Sequence, residues 1–382
     1  MRILICGLSR FLQPTGICRH IVNLANCLVG EQKVASVTLV IGEWQEEYHR
    51  QYLPLNPRVE LVIAGARNNS YSRNAWFAFE LPALAAKMRA DIVHLAFPVP
   101  LLRKFDSAVV ASLHDLYPYD FPANNTTLVR LFKKAVLRQC LSRADGVAVV
   151  SNATLSSLYN HFACLQGRNI CMVPNYPVLA LTQSLPVFGA QLGKFVLCVA
   201  QHESNKQLDL TLATFAELVG KQTGGRDVAL KMDLVIVGSA GSQTDRLVGI
   251  SEKLGIAHLV HWAPPLNDSE LLWLYSNCEV FLSTSAVEGF CLPVAEAIAS
   301  GARVACTDIP SHREVAGSLP DYFFPIANSK EIASSIRLLL QRPKPLAERK
   351  FTAKRTATAA IDLYAKALAE HERKLPVPIW SE

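Results

Sequence analysis

Short runs of consecutive apolar residues recur along the chain, and segments with the spacing of amphipathic helices separate them. Uninterrupted apolar runs are typical of strands buried on both faces, whereas a period near 3.6 residues is typical of a helix with one buried face. In the first half, the predicted strands are residues 2–8, 36–42, 91–97, 108–115 and 146–152. Helix patterns such as residues 16–30 fill the intervals. This alternation predicts an α/β fold with a parallel sheet covered on both faces.

Residues 176–193 interrupt the alternation, because they carry prolines and glycines without a clear period, as linkers do. The pattern then restarts, with predicted strands at residues 194–200, 232–238, 258–263, 279–284 and 303–308. A second doubly wound domain follows from this restart. The tail from residue 345 to residue 374 predicts one or two helices. We therefore expect Rossmann-like domains at residues 1–178 and 179–360, and a C-terminal helix at residues 361–382 that packs back on the first domain.

The composition is that of a globular protein, since half of the residues are hydrophobic and 18% are charged. No apolar run reaches the length of a membrane span, and the opening MRILICGL continues into a predicted strand rather than a signal peptide. The ten cysteines form no Cys-x-x-Cys pair, and several lie in apolar runs where a buried thiol is ordinary. We therefore expect a cytoplasmic protein without a metal site.

Positive charge is concentrated in the N-terminal part: residues 1–180 carry +7 and residues 181–382 carry −1. The densest piece, residues 128–144, has no acidic residue and predicts an amphipathic helix. Its cations are Arg130, Lys133, Lys134 and Arg138, and its apolar positions include Leu131, Val136 and Leu137. One interpretation is a domain helix with a solvated basic face; the other is a face that contacts an anionic membrane surface or an anionic acceptor. We expect no nucleic-acid partner, because the stretch lacks a series of aromatic stacking residues.

Two glutamates flank a Gly-Phe-Cys-Leu-Pro run in VEGFCLPVAEAIASG, residues 287–301. Pro293 and Gly301 suit the first residue and the end of a helix, so Glu296 would lie in the first turn, where the helix dipole favours an acid. Glu288 lies in the loop before this helix. A strand, a glycine-containing loop and a helix N-terminus form an anion cradle. Carboxylates beside it would repel a bare phosphate but accept hydroxyl groups, so the predicted ligand carries both, as a nucleotide sugar does.

The segments in this order resemble the retaining nucleotide-sugar glycosyltransferases of family 4. The most specific segment is EGFCLPVAEA, which is similar to the family's Glu-x7-Glu motif in EGFGLPVLEA. The other similar segments are PTGICRHIVNLA, SLHDLYPYDFP, FVLCVAQHESNKQLDLTLATFAEL, LLWLYSNCEVFLSTS and TDIPSHREVAG. The resemblance covers nearly the whole chain. It implies the GT-B fold, in which an acceptor-binding and a donor-binding Rossmann-like domain face each other across a cleft.

The resemblance also implies roles for individual residues. Glu288 matches the family's glutamate near the donor sugar and its developing positive charge, and Glu296 matches the glutamate that binds ribose hydroxyls. Lys206 matches the lysine that binds the diphosphate. His114, at the end of a predicted strand, matches the active-site histidine that orients the donor or stabilises charge.

Further donor contacts are implied for the glycine loop and the motif. Gly16 matches the glycine whose backbone approaches the donor phosphate, and Thr15 beside it could donate a hydrogen bond. In the motif, the expected contacts are the backbone N–H groups of Gly289, Phe290, Cys291 and Leu292. Residues 260–264 are expected to contact the nucleobase.

This sequence departs from the family pattern in several places. Gln201 and Asn205 occupy positions where arginine is common, which leaves the donor site poorer in cations, and Cys291 replaces the second glycine of the motif. A positive φ at Cys291 would be strained and would alter the loop. We expect structural roles for His20 and His94, and assign none to Glu314, although it occupies a family-like position.

The implied activity is retaining transfer of a hexose from a UDP- or GDP-sugar to a saccharide or lipid-linked saccharide acceptor, in polysaccharide or glycolipid biosynthesis. A lipid-linked acceptor would place the protein at the inner face of the cytoplasmic membrane. No Asp-x-Asp motif stands near the site, so we expect neither metal nor other cofactor. An inactive nucleotide-sugar-binding subunit and a hydrolase or phosphorylase of the same fold remain alternatives. A dinucleotide-dependent oxidoreductase is disfavoured, because GLSRFLQPTG lacks Gly-x-Gly-x-x-Gly and GSAG, residues 238–241, is too short a match.

Overall fold

The structure is a computed structural model of the 382-residue chain, and it describes residues 1–12, 15–121, 126–220, 230–317, 323–324 and 328–374. The chain forms two compact units, residues 1–176 with 351–382, and residues 177–350. The sequence predicts the first boundary two residues later, and a return to the first domain at residue 361 rather than at Phe351. Pro14, Pro122 and residues 375–382, on which parts of the predictions fall, lie outside the described residues.

The first unit is built on a seven-stranded parallel sheet with the order β3-β2-β1-β4-β5-β6-β7. The strands are β1 (Arg2–Cys6), β2 (Ser36–Gly42), β3 (Val59–Ala64), β4 (Ile92–Leu95), β5 (Ala108–Leu113), β6 (Gly146–Val149) and β7 (Ile170–Met172). The helices between them are α1 (Gly16–Val29), α2 (Glu46–Tyr52), α3 (Ser70–Ala75), α4 (Leu81–Lys87), α5 (Tyr117–Asp120), α6 (Thr127–Arg143) and α7 (Asn152–His161). A π-helical turn, Trp76–Glu80, joins α3 to α4.

The second unit repeats this architecture with a six-stranded parallel sheet of order β10-β9-β8-β11-β12-β13. Its strands are β8 (Phe195–Val199), β9 (Asp233–Val237), β10 (Val260–Ala263), β11 (Val280–Ser283), β12 (Val304–Thr307) and β13 (Phe323–Phe324). Its helices are α8 (Leu208–Val219), α9 (Thr244–Lys253), α10 (Asp268–Asn277), α11 (Leu292–Ala299), α12 (Pro310–Ala316) and α13 (Ser329–Leu340).

Both sheets have their first strand in the interior, with later strands added on either side of it. The strand order therefore reverses beside β1 and beside β8, and ligands of such sheets bind outside the carboxyl ends of the strands at these points. The predicted fold class, two doubly wound α/β domains, is confirmed. The interior strands were predicted because they are continuously buried; β3, β7 and β13 were not, and β3 and β7 are only partly buried edge strands.

The tail forms one helix, α14 (Ala353–Lys374), which packs on α1, β5, β6 and β7 of the first unit. Its buried side chains include Leu363 and Tyr364, each worth about 1.5–3 kcal/mol when removed from water. At its end, His371 and Lys374 donate to the buried carboxylate of Asp145 at 3.2 and 3.0 Å. The helix is thus an integral part of the first unit.

The basic helix α6 is only weakly anchored, since its buried residues are Leu137, Cys140 and Leu141. Leu131, which the sequence places on an apolar face, is instead 56% exposed. In the part of the chain that the structure describes, no helix combines the length and the apolar character needed to cross a membrane.

Candidate functional site

The carboxyl ends of three neighbouring strands of the second unit, β8, β11 and β12, carry the loops that form the candidate site. Because the strands are parallel, these loops emerge at the same edge of the sheet. The loop after β8 ends in a short 3₁₀ turn, Ser204–Lys206, and the loop after β11 contains Glu288 and leads into α11. Two residues that lie far apart in sequence are thereby brought together.

Lys206 and Glu288 form an ion pair, with the ammonium nitrogen 2.5 Å from carboxylate Oε1. The side chains are 20% and 8% exposed, so solvent screens this pair less than an ordinary surface pair. The hydroxyl group of Ser285 donates to the same carboxylate oxygen at 2.7 Å. The two residues to which the resemblance assigns the diphosphate and the sugar are therefore in direct contact.

Glu288 is an ionised carboxylate at neutral pH. Burial by itself would raise its pKa, but the charge and hydrogen bond of Lys206, the hydroxyl of Ser285 and the nearby His312 together hold the pKa below the ordinary value. A buried carboxylate that stays charged keeps a fixed negative charge beside the Lys206 ammonium. Such a charge can stabilise positive charge that develops on a bound ligand.

Hydrogen bonds join the loops after β8 and β11. The hydroxyl of Thr284 lies 3.0 and 2.9 Å from the carbonyl oxygens of Lys206 and Gln207, and 2.7 Å from the hydroxyl of Thr211. The backbone N–H of Ala286 donates to the carbonyl of Asn205 at 2.9 Å. These contacts fix the loops that carry Lys206 and Glu288 relative to each other, so the pair belongs to a preorganised site.

The environment of Glu296 differs from the predicted one. Helix α11 starts at Leu292, so Pro293 is its second residue and Glu296 its fifth, and no acid lies in the first turn. Glu296 is only 5% exposed, and its carboxylate accepts a hydrogen bond from the hydroxyl of Tyr275 at 3.0 Å. The helix-dipole explanation for this glutamate is therefore wrong. Its burial with a hydroxyl donor calls for another role.

Cys291 adopts the backbone conformation that the family's glycine would take without strain. Its φ and ψ are 64° and 70°, in the left-handed region, at the residue that precedes α11. This conformation costs a side-chain-bearing residue roughly 1–2 kcal/mol. Cys291 is buried beside Phe290, and burial, followed by the charge of Glu288, raises the pKa of its thiol well above the ordinary value. The thiol is therefore uncharged and unreactive at neutral pH.

Two residues that support the Glu288 loop were not predicted from the sequence. The hydroxyl of Thr307, at the end of β12, donates to the carbonyl of Ser285 at 2.5 Å, and His312 Nδ1 donates to the carbonyl of Thr307 at 2.8 Å. Both side chains are fully buried. The segment containing them, residues 307–317, was recognised as similar to the family, but only the pairing of β11 with β12 shows that they support the Glu288 loop.

Gln201 lies in the loop after β8, and the two glycines of GSAG explain how that loop is held. A Cβ atom on Gly238 would stand 2.0 Å from the carbonyl oxygen of Ala200, and one on Gly241 would stand 2.6 Å from that of His202. Glycine at these positions thus permits close backbone packing. This accounts for GSAG without a dinucleotide-binding motif.

The remaining family-like positions of the second unit have local roles. Residues 260–263 form the edge strand β10, and the ring of Trp262 contacts that of His202 edge to face at 5.1 Å. Glu314 lies on α12, where its carbonyl oxygen accepts a hydrogen bond from Lys350 at 2.6 Å. The nucleobase role of residues 260–264 stays a prediction.

In the first unit, His114 directly follows β5. Its Nε2 donates to the carbonyl oxygen of Ala96 at 2.9 Å, which leaves Nδ1 as the acceptor nitrogen of a neutral ring. Burial lowers its pKa to about 4, against an opposing effect of the Ala96 carbonyl. The ring of His20 packs on it edge to face at 4.7 Å. At neutral pH, His114 is therefore an uncharged side chain and not a general acid.

His20 and His94 belong to a buried hydrogen-bonded chain beneath His114. The hydroxyl of Ser112 lies 3.1 Å from His20 Nε2 and 2.8 Å from His94 Nε2, so it donates to one ring and accepts from the other. His94 Nδ1 in turn lies 2.7 Å from the hydroxyl of Tyr364 on α14. Burial lowers the pKa of His20 far below its ordinary value and that of His94 to about 3.

Gly16 is the first residue of α1, and nothing in the described chain requires a glycine there. A Cβ atom at Gly16 would meet no atom within 4 Å, and its φ is not positive. Thr15, the preceding residue, does not cap the helix with its side chain, and the first turn contains no acid. The start of α1 therefore offers backbone N–H groups that a ligand's phosphate can approach closely.

Two families match the chain in succession. The family described as Glycosyltransferase Family 4 matches residues 14–176, and the family described as Glycosyl transferases group 1 matches residues 190–356. The first match lies within the first unit, and the second covers nearly all of the second unit.

Curated relatives are glycosyltransferases by name. D-inositol 3-phosphate glycosyltransferase of Salinispora tropica is 30% identical over 166 residues, which are 39% of this chain and 34% of that protein. MMP alpha-(1->4)-mannosyltransferase of Mycolicibacterium hassiacum is 32% identical over 163 residues, covering 38% and 37%. The matches thus span about a third of these two relatives. O-antigen chain mannosyltransferase B of Escherichia coli is 23% identical over 325 residues, covering 79% and 81%.

Solved structures show the same fold over nearly the whole chain. WaaG, a glycosyltransferase involved in lipopolysaccharide biosynthesis, has a TM-score of 0.64 at 16% identity, covering 97% of this chain and 95% of its own. Anabaena HepE in complex with UDP and glucose has a TM-score of 0.65 at 16% identity, covering 98% of both chains. These neighbours have the GT-B fold. Since two successive family matches and this fold agree, the chain belongs to the glycosyltransferases of family 4.

Proposed function

We propose that the chain transfers a hexose from a UDP- or GDP-sugar to a saccharide or lipid-linked saccharide acceptor, with retention at the anomeric carbon. Relatives named as glycosyl- and mannosyltransferases support the type of reaction. A structural neighbour in complex with UDP-glucose supports a nucleotide sugar as the donor. The mannosyltransferase of O-antigen chains supports a saccharide acceptor and a place in polysaccharide or glycolipid assembly.

The contact between Lys206 and Glu288 is the observation that carries this proposal. A diphosphate needs a cation at its leaving oxygen, and an anomeric carbon that develops positive charge needs an anion nearby. The pair supplies both, 2.5 Å apart and largely shielded from water. An arriving diphosphate competes with Glu288 for the ammonium group, so donor binding loosens the ion pair and leaves the carboxylate to the sugar.

In the proposed reaction, the bond between the anomeric carbon and the β-phosphate oxygen breaks. The acceptor hydroxyl forms the new bond on the same face, and its proton passes to the departing phosphate oxygen. The products are therefore the glycoside and a nucleoside diphosphate. Lys206 offsets the charge that grows on the diphosphate, Glu288 stabilises the charge on the sugar, and Glu296 accepts ribose hydroxyl groups. His114 orients the donor as a neutral ring.

The first turn of α11 adds to the donor site in this proposal. It contains no acid that would offset the positive end of the helix dipole. In this proposal, its backbone N–H groups and those of Gly289 and Phe290 approach the donor. The cation-poor environment that Gln201 and Asn205 create makes this contribution more important. In the described parts of the chain, no cluster of three side chains suits a metal ion. We propose chemistry without a metal or another cofactor.

An inactive nucleotide-sugar-binding subunit is the alternative, and the departures at Gln201, Asn205 and Cys291 favour it. It shares the donor site but predicts binding without turnover. A hydrolase or phosphorylase of the same fold would consume the donor in the absence of an acceptor, or with inorganic phosphate. These outcomes are separated by measuring binding and turnover on the same preparations.

Calorimetric titration of the full chain with UDP, GDP and ADP, and then with their sugar derivatives, tests the donor site. We expect one diphosphate to bind preferentially, and Lys206→Ala to weaken it about ten- to a hundredfold, because a charged hydrogen bond is lost. Glu296→Ala should weaken the nucleoside diphosphate but not inorganic pyrophosphate. The control Lys253→Ala, at an exposed position on α9, should bind as the wild type does.

Transfer assays with the preferred donor complete the test. Glu288→Gln should lower kcat about a hundredfold or more while the donor still binds, because it removes the charge but not the shape. Full transfer activity in Glu288→Gln or Lys206→Ala would refute the proposed site. Binding without transfer to any acceptor, and without donor consumption, would favour the inactive subunit.

A further inference from the structure

Two arginines of the first unit, Arg10 and Arg73, are brought together at the carboxyl edge of its sheet. Arg10 lies in the loop after β1, and Arg73 lies on α3, after β3. Asn68 links them, because its amide nitrogen donates to the carbonyl of Arg10 at 3.2 Å and its amide oxygen accepts from the Arg73 guanidinium at 2.5 Å. Among the residues that the structure describes, no carboxylate pairs with either guanidinium group.

The backbone that carries Arg10 is rigidly held. Ser9, directly before it, is buried, and its N–H donates to the side-chain oxygen of Gln45 at 3.0 Å. The amide group of Gln45 donates to the Ser9 hydroxyl at 3.0 Å, and the Trp44 indole donates to the Ser9 carbonyl at 2.9 Å. The Arg10 guanidinium itself lies over the ring of Phe11, 5.2 Å from its centre. The backbone at Ser9 and Arg10 is therefore organised before any ligand arrives.

The arrangement concentrates positive charge. Burial and then the charge of Arg10 lower the pKa of Arg73. Burial and then Arg10 also lower the pKa of Lys133 on α6, against the opposing charge of Asp115. Cations that repel each other at the edge where such sheets bind ligands are stabilised when an anion lies among them. Lys133 interacts with Asp115, which directly follows His114 in the chain. The positive charge of Lys133 therefore lies near the residue that is proposed to orient the donor.

We propose that Arg10 and Arg73 form a subsite for an anionic group of the acceptor, either phosphate or carboxylate, with Lys133 adding positive charge. The planar guanidinium group binds both kinds of anion through paired hydrogen bonds, and it is less strongly hydrated than an ammonium group. The identity of the ligand as the acceptor rests on the proposed transferase function, whereas the anion subsite itself does not. An acidic or phosphorylated saccharide is therefore the acceptor class that this chain prefers over a neutral one.

Binding of inorganic phosphate, glucuronate and glucose to the full-length Lys206→Ala chain tests the subsite without a contribution from the donor-side lysine. We expect saturable binding of phosphate or glucuronate, and none of glucose. Arg10→Gln and Arg73→Gln should each weaken anion binding about tenfold, as the loss of a charge-assisted hydrogen bond predicts. Arg10→Lys, which keeps the charge but not the planar fork, should give a smaller loss.

Arg103→Gln is the matched control, because its guanidinium also lies over a phenylalanine ring, that of Phe79 at 4.8 Å. An equal loss in this control, or no saturable binding of either anion, would overturn the subsite. Thermal unfolding of each variant shows whether the chain still folds. UDP and GDP binding to the unsubstituted chain, compared with anion binding to the Lys206→Ala chain, separates the two proposals: nucleotide binding without anion binding refutes the subsite alone, and the reverse refutes the donor site alone. The Arg10→Gln chain should bind UDP or GDP as the unsubstituted chain does.

Discussion

Cys291 is the residue at which the chain departs most clearly from the glycine of its family motif. Its left-handed backbone shows that the loop keeps the shape a glycine would give it. The left-handed backbone costs about 1–2 kcal/mol. Burial of the small Cys291 side chain stabilises the fold by roughly 1 kcal/mol, which offsets part of this strain. Loop shape is therefore retained, while the side chain changes the lining of the site.

We predict that Cys291→Gly unfolds at a higher urea concentration than Cys291→Ala. Alanine keeps the left-handed strain and loses most of the burial, whereas glycine loses the burial but removes the strain. The expected difference is about 1 kcal/mol in favour of glycine, the reverse of the order at ordinary positions, where alanine is better by roughly 0.5–1 kcal/mol. Urea unfolding followed by circular dichroism measures it. Equal stability, or a more stable alanine variant, would show that the backbone at Cys291 is unstrained.

The sequence predicted some residues of the candidate site and missed others. Glu288 and Lys206 stood out because a known motif contains them, but their contact joins positions 82 residues apart and follows from the adjacency of β8 and β11. Thr307 and His312 carried no comparable signal. Both side chains bind backbone carbonyl groups. Every residue has such a group, so the sequence does not show which carbonyl groups are bound.

At the scale of elements, α6 is the helix whose surface remains to be explained. Its N-terminal half exposes Leu128 by 80% and Phe132 by 56%, besides Leu131. Arg130 and Arg138 lie on the same helix. Exposed apolar side chains together with cations and no acids are typical of a helix that rests on an anionic bilayer. We therefore propose that α6 docks on an anionic membrane surface, which agrees with a lipid-linked acceptor at the inner face of the cytoplasmic membrane.

We predict that Arg130→Glu with Arg138→Glu abolishes most binding to phosphatidylglycerol vesicles in a flotation assay. Each cation near the surface contributes about 1 kcal/mol, so reversing two should weaken binding at least about thirtyfold at low salt. Lys133 and Lys134 are less suitable, since Lys133 is coupled to Arg10 and Lys134 lies 4.2 Å from the centre of the Tyr119 ring.

The control for this assay is Lys33→Glu with Lys104→Glu, which makes the same change of charge at exposed positions outside α6. We expect it to lose little binding. If both double variants float equally with anionic vesicles, the membrane face does not include α6. Phe132→Ser should weaken binding even at high salt, where the electrostatic part is screened.

The sequence predicted the buried interior strands, but of the partly buried edge strands it predicted β10 and missed β3 and β7. The interior strands carry apolar runs, whereas β3 is interrupted by Glu60 and exposes Glu60 and Ile63. Helix α11 begins one residue before Pro293, because proline is tolerated anywhere in the first turn, where N–H groups lack partners. That shift of one residue was enough to misplace Glu296 relative to the helix dipole.

For the molecule as a whole, the buried histidines make stability depend on pH. His20 and His94 are fully buried and their pKa values are depressed, that of His94 to about 3, while unfolded histidine titrates near its ordinary 6.5. Between these values the unfolded chain binds protons that the folded chain does not. Stability must therefore fall as the pH drops below about 6.5, by up to roughly 1.4 kcal/mol per pH unit for each such histidine.

We predict that the urea midpoint decreases steadily from pH 7 to pH 5. His94→Gln should be less stable at pH 7, because it disturbs the bonds to Ser112 and Tyr364, but its stability should change less with pH. His258→Gln, at an exposed position, should keep the slope of the wild type. A midpoint that does not change between pH 7 and pH 5 would contradict the buried neutral histidines.

The sequence by itself determined the alternation of strands and helices, the presence of two α/β units and the spacing of Glu288 and Glu296, since each depends on the sterics and burial of neighbouring residues. Only the tertiary structure decided which distant groups meet: Lys206 with Glu288, Tyr364 with His94, and Arg73 with the Arg10 loop through Asn68. These pairings depend on strand order and on the path of α14. The local pattern of apolar and polar residues does not encode that order. Each strand buries the same apolar side chains whichever strand lies beside it.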